Sequence, residues 1–342
     1  MKFAAFRFSA ALAVVILIGV VAWLFLAGRD QPVRLQAVAP PLQMQGDVRQ
    51  PILPLTPVDG LDPGRVALGE RLFHDARLSA DFSVSCANCH NLAAGGVDGQ
   101  RFSVGIGGAR GKINAPTVYN SAYSLAQFWN GRAATLEEQA AGPIQNPIEM
   151  GATWSQVLAR LAQDAELAAE FRRLYSDGLT ADNVLNAIAT FERSLVTVDS
   201  PFDRYLRGDR QALSPLEMDG YRRFREFGCT SCHQGVLIGG NMFQKFGVLG
   251  DYFAGRAITE EDLGRYNVTR REEDRHVFKV PSLRNVARTA PYFHDGSAET
   301  LDQAVLVMAR YQLGRDLSAA DVEAIVAFLH TLNGELPAVT RR

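Results

Sequence analysis

Two short patterns carry the chemistry of this chain. Cys86, Cys89 and His90 stand as Cys-x-x-Cys-His, and Cys229, Cys232 and His233 repeat the arrangement. In this pattern the two thiols form thioethers with the vinyl groups of a haem, and the histidine reaches its iron. Cysteines of exported chains also form disulfides, and Cys-x-x-Cys pairs elsewhere act as redox couples or zinc ligands. Here a histidine follows each pair and none of the four cysteines is left over. The spacing therefore points to two covalent c-type haems.

A haem iron held by one histidine has a second axial face. A protein ligand there makes an electron carrier, whereas an open face admits a small oxidant. No histidine lies between His90 and His233. Met150, 60 positions after His90, and Met308, 75 after His233, both lie far enough along the chain for a thioether to return to the iron. Glu149, beside Met150, is a carboxylate suited to moving protons.

These residues need helices to hold them. Ser214-Pro215-Leu216-Glu217 reads as a capping box with proline at the first helical position, opening a helix that ends at Gly228. Behind Thr180, the residues Val184, Ile188, Phe191 and Leu195 make one apolar helix face. Thr300-x-x-Gln303 opens a helix that carries Met308 and stops near Gly314. Residues 318–334 make another, with Val322, Ile325, Val326, Leu329 and Leu332 inside. Strand alternation is scarce. The glycine-rich stretches 92–116 and 234–256 are too long to be simple connections and are of a length to wrap a cofactor. The expected fold is mainly α, with two cytochrome c-like domains, residues 58–200 and 201–337, each carrying one covalent haem, and a short tail at 338–342.

Residues 8–28 carry no charge and lie between Lys2 and Arg7 on one side and Arg29 on the other. At 1.5 Å per residue they span about 30 Å, the thickness of a bilayer core. Residues 1–29 are thus either a transmembrane anchor or an export signal. Cleavage after Ala27 would put the bulky Phe25 where a small residue is wanted, which favours the anchor. Either way the expected location is the periplasm, tied to the inner membrane or soluble after cleavage. Residues 30–57, with five prolines between positions 40 and 57, read as a stiff, extended linker. A net charge of −2 gives no electrostatic case for nucleic acid.

Over residues 68–337 the chain resembles the bacterial di-haem cytochrome c peroxidases. The likeness rests on LGERLFHDARLS, SCANCHNLAAGGVDG, NAPTVYNSAYSLAQFWNGR, EEQAAGPIQNPIEM, FERSL, PFDRYL, GCTSCHQG, FKVPSLRNV and APYFHDGSAETLDQAV, in that order. The resemblance implies two cytochrome c domains in contact. It makes Met308 the distal ligand of the second haem, which would receive electrons and store one. It replaces Met150 by Glu149, which becomes the acid–base group at the peroxide site, with Gln139 as the amide that hydrogen-bonds peroxide and Trp129 on the path between the haems. It implies a calcium ion between the domains, held by the Asn114 side chain and the carbonyls of Thr289 and Pro291 with water. His74 and His294 fall in shared motifs without a ligand role, and His276 and His330 read as surface or packing residues. The activity implied is reduction of hydrogen peroxide to water with electrons from a small c-type cytochrome or another exported donor. A homodimer is compatible with it.

One stretch departs from the family. Within SVGIGG, Ile106 stands where many relatives carry histidine in S-x-G-H-G. Isoleucine has no donor atom. The expectation is a first haem whose distal face is empty or water-bound in the oxidised protein, with Ile106 lining the pocket. Two other readings stay open. An oxidase acting on a protein or organic substrate would use a tyrosine at the second haem, and Tyr311 is the residue to inspect. A non-enzymatic electron carrier would need a sixth ligand on the first haem, and the sequence offers no obvious one.

Overall fold

In the computed structural model, residues 51–337 are described. The expected membrane segment, most of the linker and the tail at 338–342 lie outside them. Among the described residues no helix is long and apolar enough to cross a membrane.

The chain is mainly helical. In order it forms α1 (Pro63–Phe73), α2 (Cys86–Cys89), α3 (Leu136–Gln145), α4 (Trp154–Leu161), α5 (Ala165–Leu174), α6 (Ala181–Ser194), α7 (Pro201–Leu206), α8 (Pro215–Glu226), α9 (Tyr266–Thr269), α10 (Leu301–Val307) and α11 (Ala319–His330). Two short strands, β1 (Phe243–Lys245) and β2 (Val277–Lys279), pair antiparallel with Gln244 opposite Phe278. Glycine-bearing loops make up much of the rest.

Two helix crossings organise the cores. Asp62 caps α1 and Thr180 caps α6, each accepting from backbone N–H groups of the first turn. Gly69 of α1 lies flat on α6, where a Cβ would overlap the Ala187 carbonyl oxygen. Phe73 then packs on Phe191 with ring centres 5.3 Å apart. The second half repeats this. Gly220 of α8 meets the Ala324 carbonyl of α11, and Phe224 packs on Phe328 at 5.2 Å. Gly-x-x-x-Phe against Ala-x-x-x-Phe is thus the scaffold of both halves. The first core gathers Leu68, Leu72, Val157, Phe171, Val184 and Ile188. The second gathers Phe202, Tyr221, Phe224, Ile325, Phe328 and Leu332.

Several helix boundaries shift from expectation. The capping box at Ser214 and Glu217 is formed, and Gly228 follows the helix in the left-handed region at φ 94°. The last helix stops at His330 rather than Gly334. The helix opened by Thr300 ends at Val307 and passes into a π-helical turn over Met308–Gln312, in which the Leu313 N–H reaches the Met308 carbonyl at 3.2 Å. Such widened turns put a side chain where a regular helix would not, and they recur at functional sites.

The linker expectation is corrected over residues 51–55. Ile52 and Leu55 are fully buried, and the Gly235 N–H donates to the Pro51 carbonyl at 2.7 Å. The Leu53 carbonyl accepts from Arg284 Nη2 at 2.9 Å, and the Leu55 N–H donates to Asp203 Oδ1 at 3.1 Å. Arg284 and Asp203 are themselves a buried ion pair at 2.7 Å. The prolines stiffen this segment, but the apolar residues between them are what it buries. The other end crosses over too. The Glu335 N–H donates to the Val198 carbonyl at 2.8 Å, and Leu336 packs against the Phe73–Phe191 cluster.

Candidate haem sites

One cavity of about 810 Å³ is lined by both Cys-x-x-Cys-His patterns. Helix α2 presents the first, fixed by a reciprocal capping box between Ser85 and Asn88. The second follows the left-handed turn at Gly228. All four thiols are free. Burial pushes Cys86 up to about 12 and Cys229 up to about 11, so both are neutral. The ring Nδ1 of His90 lies 3.2 Å from the Gly96 carbonyl, and that of His233 lies 3.1 Å from the Ile238 carbonyl. A carbonyl only accepts, so Nδ1 carries the hydrogen and Nε2 the lone pair, the tautomer an iron ligand needs. Burial also lowers both histidines, His233 to about 4, and keeps them neutral. Glu192 lines the same cavity, with Oε2 buried and without a hydrogen-bond partner. Its carboxyl is pushed up to about 8 by burial. Free thiols, neutral imidazoles and an orphaned carboxyl oxygen together fit a bound haem at each pattern.

The other expected site residues, Gln139, Glu149, Trp129, Met308, Asn114, Thr289 and Pro291, line this cavity as well. Glu149 follows α3, where its Oε1 accepts from Asn146 Nδ2 at 2.7 Å, leaving Oε2 as the free oxygen. Burial holds its carboxyl above the usual range, against the opposing charge of Arg132. Asn146 was not singled out in the sequence; its three-residue spacing from Glu149 is the signal that could have found it. Gln139 lies in α3 ahead of Pro143, which has no N–H to give back to the Gln139 carbonyl. Trp129 Nε1 donates to the Asn114 carbonyl at 2.9 Å. The Asn114 amide nitrogen donates to the Gln100 carbonyl at 2.9 Å, so a cation there would use the amide oxygen. Met308 opens the π turn and faces the cavity, whereas Tyr311 packs against Tyr252 and does not line it. Met150 is buried in the first core. His74 is exposed, and His294 is buried with Nε2 2.7 Å from Asp262 Oδ1.

Ile106 is corrected. Its side chain packs over Gly151 and the first core instead of lining the cavity. Gly105 lines it in its place, pressed so close to the Ile148 carbonyl that no Cβ would fit. The Ile106 N–H donates to the Glu149 carbonyl at 2.9 Å, which ties this loop to the acidic residue.

An internal repeat escaped the sequence reading. Residues 114–136 and 279–301 match at a constant offset of 165. Asn120 and Asn285 are both left-handed at φ 62° and 59°, and Phe128 and Phe293 at 65° and 71°. The bridge between Gln127 and Ala133 recurs between Tyr292 and Ala298. Thr135 and Thr300 cap the helices that follow. At this offset Trp129 corresponds to His294, and Pro143 corresponds to Met308. The first half therefore has a ring without a donor atom where the second half has a thioether. The signal was in the sequence, as Asn-x7-Phe-x2-Gly-x-Ala-x-Thr-Leu, but irregular loops carry it and helical periodicity passes over it.

Residues 63–211 match the family described as di-haem cytochrome c peroxidase. The chain is 46% identical over 289 residues to the cytochrome c551 peroxidase of Nitrosomonas europaea, covering 84% of this chain and 85% of that protein. The chain belongs to the di-haem cytochrome c peroxidase family. It is 51% identical over 286 residues to the cytochrome c peroxidase Ccp of Escherichia coli K12, covering 83% of this chain but only 61% of that protein's length. Among solved structures of this family's fold, a MauG-like protein associated with microbial copper homeostasis matches with a TM-score of 0.73 and 29% identity, over 82% of this chain and 93% of that one.

Proposed function

We propose that this member of the di-haem cytochrome c peroxidase family reduces hydrogen peroxide to two waters, consuming two protons and two electrons delivered by a small c-type cytochrome or another exported donor. The observation that carries the reading is the asymmetry of the repeat: Pro143 faces the cavity in one half and Met308 in the other, with Glu149 beside the former. Residues 58–200 form the peroxidatic domain and residues 201–337 the electron-transfer domain, the arm at 51–55 being added to the second. A covalent haem in each, held at the two Cys-x-x-Cys-His patterns, would supply redox-active iron. The chain's own residues do the rest. His90 and His233 would each hold a haem iron, and Met308 would supply a second ligand to the haem of the second domain. Glu149, steadied through Oε1 by Asn146, takes the proton from the near oxygen of peroxide and returns it to the departing oxygen. The Gln139 amide hydrogen-bonds the bound peroxide. Trp129, whose Nε1 donates to the Asn114 carbonyl and whose own carbonyl accepts from the Lys279 N–H, lies on the path between the two haems. Asn114, Thr289 and Pro291 offer neutral oxygens of the kind calcium prefers. Export to the periplasm and anchoring through residues 8–28 complete the reading.

A turnover assay with peroxide and a reduced c-type cytochrome, run with and without pre-reduction, tests it. Peroxide-dependent oxidation of the donor without a reductive lag is expected. Absence of donor oxidation in a preparation holding both haems would contradict it.

A further inference from the structure

The repeat relates contacts across the seam between the halves. The Asn114 N–H donates to the His294 carbonyl at 2.8 Å, and the Lys279 N–H donates to the Trp129 carbonyl at 2.8 Å. Asn114 corresponds to Lys279 at the offset of 165, and Trp129 to His294, so these two hydrogen bonds are mates under the repeat. Thr289, the candidate calcium residue opposite Asn114, corresponds to Ser124. Lys279 Nζ donates to Ser124 Oγ at 3.1 Å. One position thus offers oxygens to a cation from solution, while its mate carries a cation of its own.

Among the described residues no carboxylate forms an ion pair with that cation. Lys279 and Ser124 line the cavity shared by the two Cys-x-x-Cys-His patterns. Burial pushes the ammonium down to about 8, and no acidic side chain among the described residues offsets this. Lys279 is partly buried, and a charge held even partly out of water is costly unless paired. A covalent haem brings two propionate carboxylates that its thioethers leave unneutralised. Resting on the reading that both patterns carry haem, we propose that Lys279 is a binding group for a haem propionate at the seam between the halves, the built-in counterpart of the candidate calcium position.

The test uses the full holoprotein. Haem content is first measured by mass and by the pyridine haemochrome; fewer than two haems in the unaltered protein would fail the di-haem reading, not this one. Both midpoint potentials are then followed by spectroelectrochemical titration. Removing a positive charge near a haem favours ferric iron. Lys279→Met should lower one haem's potential by about tenfold in its reduction equilibrium, 59 mV for a one-electron couple, and Lys279→Arg should restore most of it. If Lys279→Met fails to load haem, loading restored by Lys279→Arg supports the pairing, and loading lost in both contradicts it. Unchanged potentials in a loaded Lys279→Met protein would overturn the proposal. So would a shift that appears only when chloride and phosphate are withdrawn, because a free anion would then be the ammonium's partner whenever one is present.

Discussion

At the scale of single residues, the proposed chemistry rests on one carboxyl and one thioether. Glu149 reaches the cavity with Oε2 free because Asn146 engages Oε1. Glu149→Gln keeps the shape and the hydrogen-bonding capacity while removing the proton carrier. Both haem spectra should survive, and peroxide turnover should fall by about two orders of magnitude; unimpaired turnover would remove Glu149 from the mechanism. Its pH profile follows from burial, which raises the carboxyl above its usual range. A base must be ionised to accept a proton, so turnover should fall as pH drops through that raised value. This acid limb should be missing from the residual activity of Glu149→Gln, and a limb retained there would assign it to another group. Met308→His should keep both haems attached but lower the potential of the second, because imidazole favours ferric iron more than a thioether does. An unshifted high-potential haem in that variant would rule Met308 out as a ligand.

At the scale of elements, the glycines at the two helix crossings set how closely the halves are built. Alanine at Gly69 gains about 1 kcal/mol of helix propensity, but its Cβ would overlap the Ala187 carbonyl, which cannot step aside inside a helix. A net loss of roughly 1–3 kcal/mol is expected for Gly69→Ala, and likewise for Gly220→Ala against Ala324. Thermal unfolding of each variant measures it, and an unchanged midpoint would contradict the close crossing. Much of this layer is legible in the sequence. The capping residues Thr180, Ser214 and Thr300 each cap as their spacing announces, because a cap is a local hydrogen bond. Where tertiary contacts decide, the sequence is mute. The arm at Ile52 and Leu55 reads as linker because its prolines are visible and its burial against residues near Gly235 and Asp203 is not. Ile106 reads as pocket lining because it stands where many relatives carry histidine, yet the loop turns its side chain onto Gly151. The π turn at Met308 has no sequence periodicity of its own, since it is held by the loop at Leu249 and Gly250, whose N–H groups both donate to the Tyr311 carbonyl.

At the scale of the whole molecule, two copies of one plan have been made unequal. Both halves share the glycine crossing, the haem-binding pattern and the Asn120 or Asn285 turn, and these turns meet through Thr197, whose Oγ1 accepts from Asn120 Nδ2 at 2.9 Å and from Asn285 Nδ2 at 2.8 Å. They differ at the position proposed for axial ligation: Pro143 against Met308, with Gly105 along the first pocket. In the proposed function the first haem would keep a face for peroxide and the second would be closed by Met308. Electron paramagnetic resonance of the as-isolated, fully ferric protein tests this most directly. One high-spin and one low-spin ferric haem are expected; two low-spin signals with no high-spin component would contradict it.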